Sequence, residues 1–161
     1  MESSGDRKER LVKLLINEPF SLPEEKVRGE SLKLYVQAIL HSSLSNELNA
    51  KRDTNIYKSY RRLAFLGDAV IEISVREHLY RTDQIDEKHL TLVKQRYVSR
   101  EDISKSLKKK NIDKELIELC LRSNNIGNNA ESEMFEALVG AVYLEEGYKK
   151  AEDIVKKILI I

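Results

Sequence analysis

Helical periodicity is the feature that most limits what this chain can fold into. Apolar residues recur three and four positions apart along nearly its whole length, and no run alternates with the period of two that marks a half-buried strand. Only six glycines and two prolines stand among the 161 residues, so few positions can interrupt a helix. We therefore predict an all-α fold with a single domain over residues 1–161.

The periodicity divides the chain into helices joined by polar connectors. The first helix should stop at Pro19, and a long one should run from about Tyr57 to about Tyr80. Ser99 and Asp102 have the spacing of a capping box that opens a helix, and Gly147 is placed to end one. Polar connectors are expected at 21–30, at 44–55 (a loop or a frayed segment) and at 124–131. Further helices are predicted at 30–43, 83–98, 100–111, 114–123, 132–146 and 148–161.

Charge and cysteine content exclude several classes of protein. The 28 basic and 27 acidic residues nearly cancel, so any nucleic-acid surface must come from local clustering. The one cysteine, Cys120, excludes an internal disulfide framework and a zinc finger, and it is expected to fill the core. No apolar run approaches the roughly 18 residues of a membrane span, and the charged N-terminus is not a secretory signal. These features predict a cytoplasmic protein without a membrane segment.

Two apolar segments each carry acidic residues. From Leu63 to Ile71 every residue is apolar except Gly67 and Asp68. An unpaired buried carboxylate costs several kcal/mol or takes up a proton, and a glycine within a helix costs roughly 1 kcal/mol relative to alanine. Glu133 and Glu136 lie three positions apart and so share one face of a second apolar helix. Both segments therefore need something that compensates for these residues.

A shared divalent cation is one such compensation. Small residues would let the two helices approach closely and bring their carboxylates together: Gly67, Ala137, Gly140 and Ala141. Carboxylates that are forced together repel unless they are protonated or hold a cation, and Mg²⁺ accepts a few of them while keeping several waters. Buried hydrogen bonds or pairs with arginines are the alternative. A di-iron or di-manganese bundle is disfavoured, because none of the three histidines follows a glutamate by three positions.

At these residues the chain resembles the ribonuclease III family. The stretch RRLAFLGDAVIE (61–72) is similar to the family's ERLEFLGDAVLE, with Leu63 and the run from Phe65 to Val70 in register. Three further stretches follow in the family's order and are similar to its ALTHxSY, LSxLRAxLVSxE and DAFEALIGAIYLDGGY. They are AILHSSL (38–44), LTLVKQRYVSRE (90–101) and EMFEALVGAVYLEEGY (133–148).

The resemblance implies an all-α endonuclease domain that forms a homodimer, with one acidic Mg²⁺ site per protomer in a valley that holds double-stranded RNA. It implies phosphodiester hydrolysis to 5′-phosphate and 3′-hydroxyl ends, with Mn²⁺ as a substitute metal and no nucleotide cofactor. By position, Asp68 and Glu136 match catalytic metal ligands, and Glu133 is a third ligand where the family has aspartate. Glu87 lies at a less strongly defined acidic position.

Besides Glu133, two positions depart from the family's pattern. Ala64 occupies the position of the first metal-binding glutamate, and Arg61 stands where another glutamate of that motif is expected. A methyl group cannot bind Mg²⁺, so metal binding should weaken and the activated water should be misplaced. Ala64 is either a substitution made to inactivate the protein or part of a natural divergence that also changed Arg61 and Glu133. A non-catalytic RNA-binding or assembly protein on the same fold is therefore the alternative function.

RNA binding should come from basic residues of the nuclease domain itself, since 161 residues leave no room for the double-stranded-RNA-binding domain that the family often appends. The chain would then be a short form of the family or a truncated one. Phosphate contacts of this kind are shape-dependent and salt-sensitive. The candidates are Lys88, Lys94, Arg96 and Arg100, with the run Lys108–Lys110 as a second group. Ordinary solvated helix faces are the alternative for these residues.

A homodimer contact is expected on the first-motif helix, which lies near the two-fold contact in the family. Phe65, Leu66, Ala69 and Val70 carry more apolar surface than one short helical domain needs to bury. A two-fold pair would bury one patch twice. The alternative is that these four residues face the core of their own protomer.

Overall fold

The computed structural model describes residues 2–82 and 85–161, and the predicted all-α fold is confirmed. Within these ranges a 3₁₀ turn (Glu87–His89) precedes α6, a π turn (Lys156–Ile160) follows α10, and no strand is present. No described helix is both long and apolar enough to cross a membrane. The helices are α1 (Ser4–Ile16), α2 (Glu24–Val27), α3 (Leu32–Gln37), α4 (Ser42–Lys51), α5 (Arg61–Thr82), α6 (Leu90–Val98), α7 (Arg100–Lys109), α8 (Asp113–Leu119), α9 (Ala130–Glu146) and α10 (Tyr148–Val155).

The close packing of α5 on α9 organises the fold. A Cβ atom on Gly67 of α5 would overlap the carbonyl group of Glu136, and a Cβ on Gly140 of α9 would overlap the carbonyl oxygen of Leu63. The two backbones therefore touch directly, and any side chain at either glycine would push them apart. The prediction that small residues allow a close approach of these helices is confirmed.

The other helices surround α9, which is buried from Ala130 to Val142 apart from Glu131 and Glu133. Helices α7, α8 and α10 pack on it, and α1 contacts α8 and α3. The buried apolar side chains form one continuous cluster that includes Cys120, which confirms the core role expected for that residue. Arg10 of α1 forms ion pairs with two residues of α8, Glu115 at 3.0 Å and Glu118.

The stretch 44–55, expected to be a loop or a frayed segment, is largely helical, and that prediction was wrong. Helix α4 begins after His41, whose ring nitrogen Nδ1 accepts a hydrogen bond from the Ser43 amide. The side chains of Ser45 and Asn49 then donate to the carbonyl oxygen of Tyr57, both at 2.9 Å. These polar contacts stabilise α4, which lacks the clear apolar stripe by which a helix is predicted from sequence.

The same contacts explain why α5 begins at Arg61 and not near Tyr57. The backbone of Tyr57 is paired with the Asn49 side chain and so lies outside the helix. Helix α3 is also shorter than predicted, because the chain beyond it pairs with Leu121 through the amide of His41 and the carbonyl of Ile39. Part of the predicted start of the helix at 83–98 lies outside the described residues.

Two predicted helix ends are confirmed. The Ser99 side chain accepts from the Asp102 amide and opens α7, while Gly147, with a φ of 88°, closes α9. Helix α1 ends at Ile16, just before Pro19, and the expected connector at 21–30 contains the short helix α2.

Candidate active site

Helices α5 and α9 form the floor of an open cleft of about 890 Å³, and the junction between α6 and α7 forms its other wall. The crossing at Gly67 fixes how far apart the carboxylates of the two helices stand. The structure thus brings together the three carboxylates that the sequence singled out. The lining residues are Arg61, Ala64, Phe65, Asp68, Gln95, Val98, Ser99, Arg100, Glu133 and Glu136.

Glu136 is the most buried acid of the cleft, with 8% of its surface exposed. Burial raises its pKa to about 7, and the nearby carboxylates of Asp68 and Glu133 add to the rise while Arg100 opposes it. Within the described part of the chain, Glu136 makes no ion pair and no side-chain hydrogen bond. When it ionises, its charge is therefore offset only in part, by the nearby charge of Arg100.

Asp68 lines the same cleft as Glu136 and is more open to solvent. Desolvation of its carboxyl inside the cleft raises its pKa, and Glu72 one turn later adds to the shift. Lys94 and Arg100 act in the opposite direction. Asp68, unlike its neighbour Glu72, has no ion-pair partner among residues 2–82 and 85–161.

Glu133 is held by two side chains, unlike the other two acids. Arg100 lies 3.2 Å from its Oε1, and the Tyr60 hydroxyl donates to its Oε2 at 3.0 Å. Burial and the charge of Glu133 raise the pKa of Tyr60, which keeps the phenol protonated as a donor. Sequence reasoning missed Tyr60, because it is 73 positions from Glu133 and no spacing rule links them.

Ala64 and Arg61, which depart from the family's pattern, both line this cleft. Ala64 is buried on the same face as Asp68, one turn earlier, and places a methyl group where a ligand was expected. Arg61 is exposed at the rim. Glu87 is exposed in the 3₁₀ turn and does not line the cleft.

The basic residues expected to bind RNA are placed unequally. Lys94 is buried, and its ammonium lies 2.9 Å from Glu72, so it supports α5 from α6 and does not present its charge to solvent. Lys88 and Arg96 are exposed, as is the run Lys108–Lys110. Arg100 is exposed but is engaged with Glu133.

The donor set accommodates a hard divalent cation through two carboxylates. In the part of the chain that the structure describes, no group of three acidic, histidine or cysteine side chains is arranged to hold a metal ion. The charge of Asp68 nevertheless helps to raise the pKa of Glu136, so a cation between them would be favourable, and Mg²⁺ sites commonly use one or two carboxylates with several waters. These two residues would hold the ion.

The buried state of Glu136 predicts a pH-dependent stability. Its pKa rises from 4.5 to about 7 on folding, so the folded protein keeps a proton that the unfolded chain has released between these values. In EDTA, the Glu136 carboxyl should therefore contribute about 3 kcal/mol of stability below this window that is lost as the pH rises through it. Urea unfolding of Glu136→Gln should show most of that slope removed, whereas Glu131→Gln, on the same helix but outside the cleft, should retain it. An unchanged slope in Glu136→Gln contradicts the assignment.

An apolar surface lies beside the cleft on the outer face of α5. Phe65 is 85% exposed, Ala69 is exposed and Leu66 is half-buried, so these three do not face the protomer's own core. Val70 is buried and does face it, contrary to its expected place in a contact. A shallow hollow of about 370 Å³ continues this surface through Ile73 and Tyr143.

Comparison with known proteins agrees with these observations. Residues 31–161 match the model of the family described as ribonuclease-III-like. The chain is 35% identical over 123 residues to a ribonuclease 3 from Zunongwangia profunda, covering 76% of this chain and 49% of that protein. It is 30% identical over 155 residues to a ribonuclease 3 from Borreliella burgdorferi, covering 94% and 58%. The chain thus spans about half the length of the curated relatives it matches.

A solved structure has the same architecture. It is the nuclease domain of ribonuclease III from Campylobacter jejuni, described for structural flexibility in a region involved in dimer formation. The TM-score is 0.66 at 25% sequence identity, with 95% of this chain and 99% of that one covered. With the family match over residues 31–161, the conclusion is that the chain belongs to the ribonuclease-III-like family.

Proposed function

We propose that this chain is the nuclease domain of an endoribonuclease that hydrolyses double-stranded RNA to 5′-phosphate and 3′-hydroxyl ends. The observation that carries the proposal is the pair of carboxylates, Asp68 and Glu136, which line one cleft without an ion-pair partner in the described residues. Such a pair calls for a cation, and the family is one of metal-dependent nucleases. The single buried thiol of Cys120 fits a cytoplasmic site of action.

The side chains of the cleft position the reaction. Asp68 and Glu136 would hold Mg²⁺, or Mn²⁺ in its place. Bound there, the ion would supply a stronger nucleophile from water and offset charge on the leaving oxygen. Arg61 and Arg100 line the cleft and can contact the phosphate backbone. The rigid crossing of α5 and α9 keeps the two carboxylates at a fixed separation, which is the main contribution that a protein makes to such chemistry.

RNA would lie across the cleft and contact the exposed basic residues around it. Lys88, Arg96 and the run Lys108–Lys110 are exposed and could contact phosphates. Lys94 is left out of this surface because it is buried and its ammonium is paired with Glu72. Binding through such contacts reads the shape of the duplex and weakens with salt.

Cleavage of a long RNA duplex tests the proposal. We expect Mg²⁺-dependent conversion to short staggered duplexes with 5′-phosphate ends, and no conversion by Asp68→Asn. Duplex binding without cleavage would instead support the second candidate, a non-catalytic RNA-binding protein, which the methyl group of Ala64 in the cleft favours. Absence of duplex binding at low salt would leave a purely structural helical domain.

We also propose a homodimer through the apolar surface of α5. Phe65 is 85% exposed, so Phe65→Glu should leave the protomer folded while placing two charges in the contact. We expect sedimentation velocity at micromolar concentration to show a dimer for the unaltered chain and a monomer for Phe65→Glu. Ile56→Glu is the matched control, because Ile56 is 72% exposed but lines a separate groove. A monomeric unaltered chain would rule the dimer out.

A further inference from the structure

We propose that Arg100 withholds Glu133 from the cation site in the free protein and releases it when an RNA phosphate takes the guanidinium. Metal binding and duplex binding would then reinforce each other. Toward the cation, Arg100 is in this view a positioning residue, which acts through Glu133. The inference rests on the proposed function and adds a form of regulation to the same cleft.

Both oxygens of Glu133 are engaged in the free protein. Oε1 lies 3.2 Å from Nη1 of Arg100, and Oε2 accepts from the Tyr60 hydroxyl at 3.0 Å. Asp68 and Glu136 line the same cleft without such partners in the described residues. The free cleft therefore offers two available carboxylates and one that is occupied.

The occupied carboxylate accounts for an incomplete site. Three acids line the cleft, yet no three of the described residues are arranged to hold a metal ion. Arg100 also opposes the rise in pKa of both Asp68 and Glu136, so its charge lies within electrostatic reach of all three acids. The guanidinium stands in for part of the positive charge that a cation would bring.

Two features allow Arg100 to exchange its ion pair with Glu133 for a contact with an RNA phosphate. The Arg100 side chain is 64% exposed, and ion pairs of this exposure contribute little to stability. Guanidinium groups bind phosphate oxygens in a bidentate manner, so an RNA phosphate competes well with one carboxylate oxygen. Ala64, one turn before Asp68, supplies no ligand, so a cation in the cleft depends more on the released carboxylate of Glu133.

Titration with Mn²⁺ in the absence of RNA tests whether Arg100 withholds Glu133 from the cation. Arg100→Gln should bind Mn²⁺ about fivefold more tightly than the unaltered chain, at the low end of typical coupling between sites. Arg100→Lys keeps the charge and should keep the weaker affinity. Arg62→Gln removes an exposed charge of α5 outside the cleft and should change little. The gain from Arg100→Gln should vanish when Glu133→Gln is also present.

Duplex RNA binding in EDTA, where no cleavage occurs, tests whether an RNA phosphate binds Arg100. Arg100→Gln should weaken binding and lower the slope of log affinity against log salt by about one, the value expected for one lost phosphate contact. Arg62→Gln should retain the slope of the unaltered chain.

Distinct results would overturn the proposal. No gain in Mn²⁺ affinity, or no measurable Mn²⁺ binding by any variant, would contradict the withholding of Glu133. A gain that persists with Glu133→Gln would reduce Arg100 to a general electrostatic effect. An unchanged salt slope would contradict release by phosphate. Failure of the proposed catalysis is distinguishable, since it appears as absence of cleavage while Mn²⁺ and duplex RNA still bind.

Discussion

Replacing Gly67 with alanine is expected to destabilise this protein by at least about 3 kcal/mol, the upper end for overpacking a core. Alanine is normally the better helix residue by about 1 kcal/mol, so the expected sign is opposite to the propensity. The reason is the contact between α5 and α9, where the new Cβ would overlap the carbonyl group of Glu136 and lie 2.9 Å from the Gly140 amide nitrogen. These are backbone atoms that cannot rotate away. Urea unfolding measures the difference.

Gly127→Ala is the matched control for this substitution. A Cβ at Gly127 would meet no atom within 4 Å, so the change should stay within about 0.5 kcal/mol. A Gly67→Ala protein that is as stable as the unaltered chain would show that the two helices do not cross at this residue.

Replacing Ala64 with glutamate is expected to raise Mg²⁺ affinity about tenfold or more and to raise cleavage of duplex RNA, or to restore it where it is absent. Ala64 lines the cleft one turn before Asp68, and the open cleft of about 890 Å³ has room for the longer side chain. Without metal, stability should fall modestly because another carboxylate joins Asp68 and Glu136. Added Mg²⁺ should recover the loss, since it binds only the folded state. Calorimetric titration and a cleavage assay measure these effects.

Ala64→Gln separates charge from bulk, because it has nearly the same shape and should not raise Mg²⁺ affinity. Adding Asp68→Asn to Ala64→Glu should abolish any activity that the glutamate restores. A folded Ala64→Glu protein that binds duplex RNA but gains neither Mg²⁺ affinity nor cleavage would contradict the single-ligand account. Arg61 and Glu133 would then mark a site that has lost its chemistry by several changes.

The pairing of α5 and α9 could be anticipated from sequence because its determinants are local. Gly67 and Asp68 interrupt one apolar run, while Gly140 and Glu136 do the same in the other, so spacing indicated a close approach of the two helices and the family resemblance indicated a shared acidic site. Helix α4 could not be anticipated, because its support is a set of side-chain bonds to Tyr57 and not an apolar stripe.

The partners of charged side chains could not be predicted from the sequence either, because they lie on other helices. Lys94 read as a solvent-exposed phosphate ligand, but its partner Glu72 is 22 positions away on another helix. Arg100 and Glu133 belong to different helices as well, and only the folded chain shows that they meet. Periodicity predicts which face a residue occupies, and it does not predict which charge from another element will reach that face.

The backbone contact between α5 and α9 also bears on how such a chain can change over generations. Because the contact is made at Gly67 and Gly140, it does not depend on which side chains point into the cleft. A lineage can gain or lose a carboxylate at position 64 while the scaffold is inherited intact. If position 64 decides metal binding, a nuclease and an inert relative can differ by one replacement there on the same helix crossing.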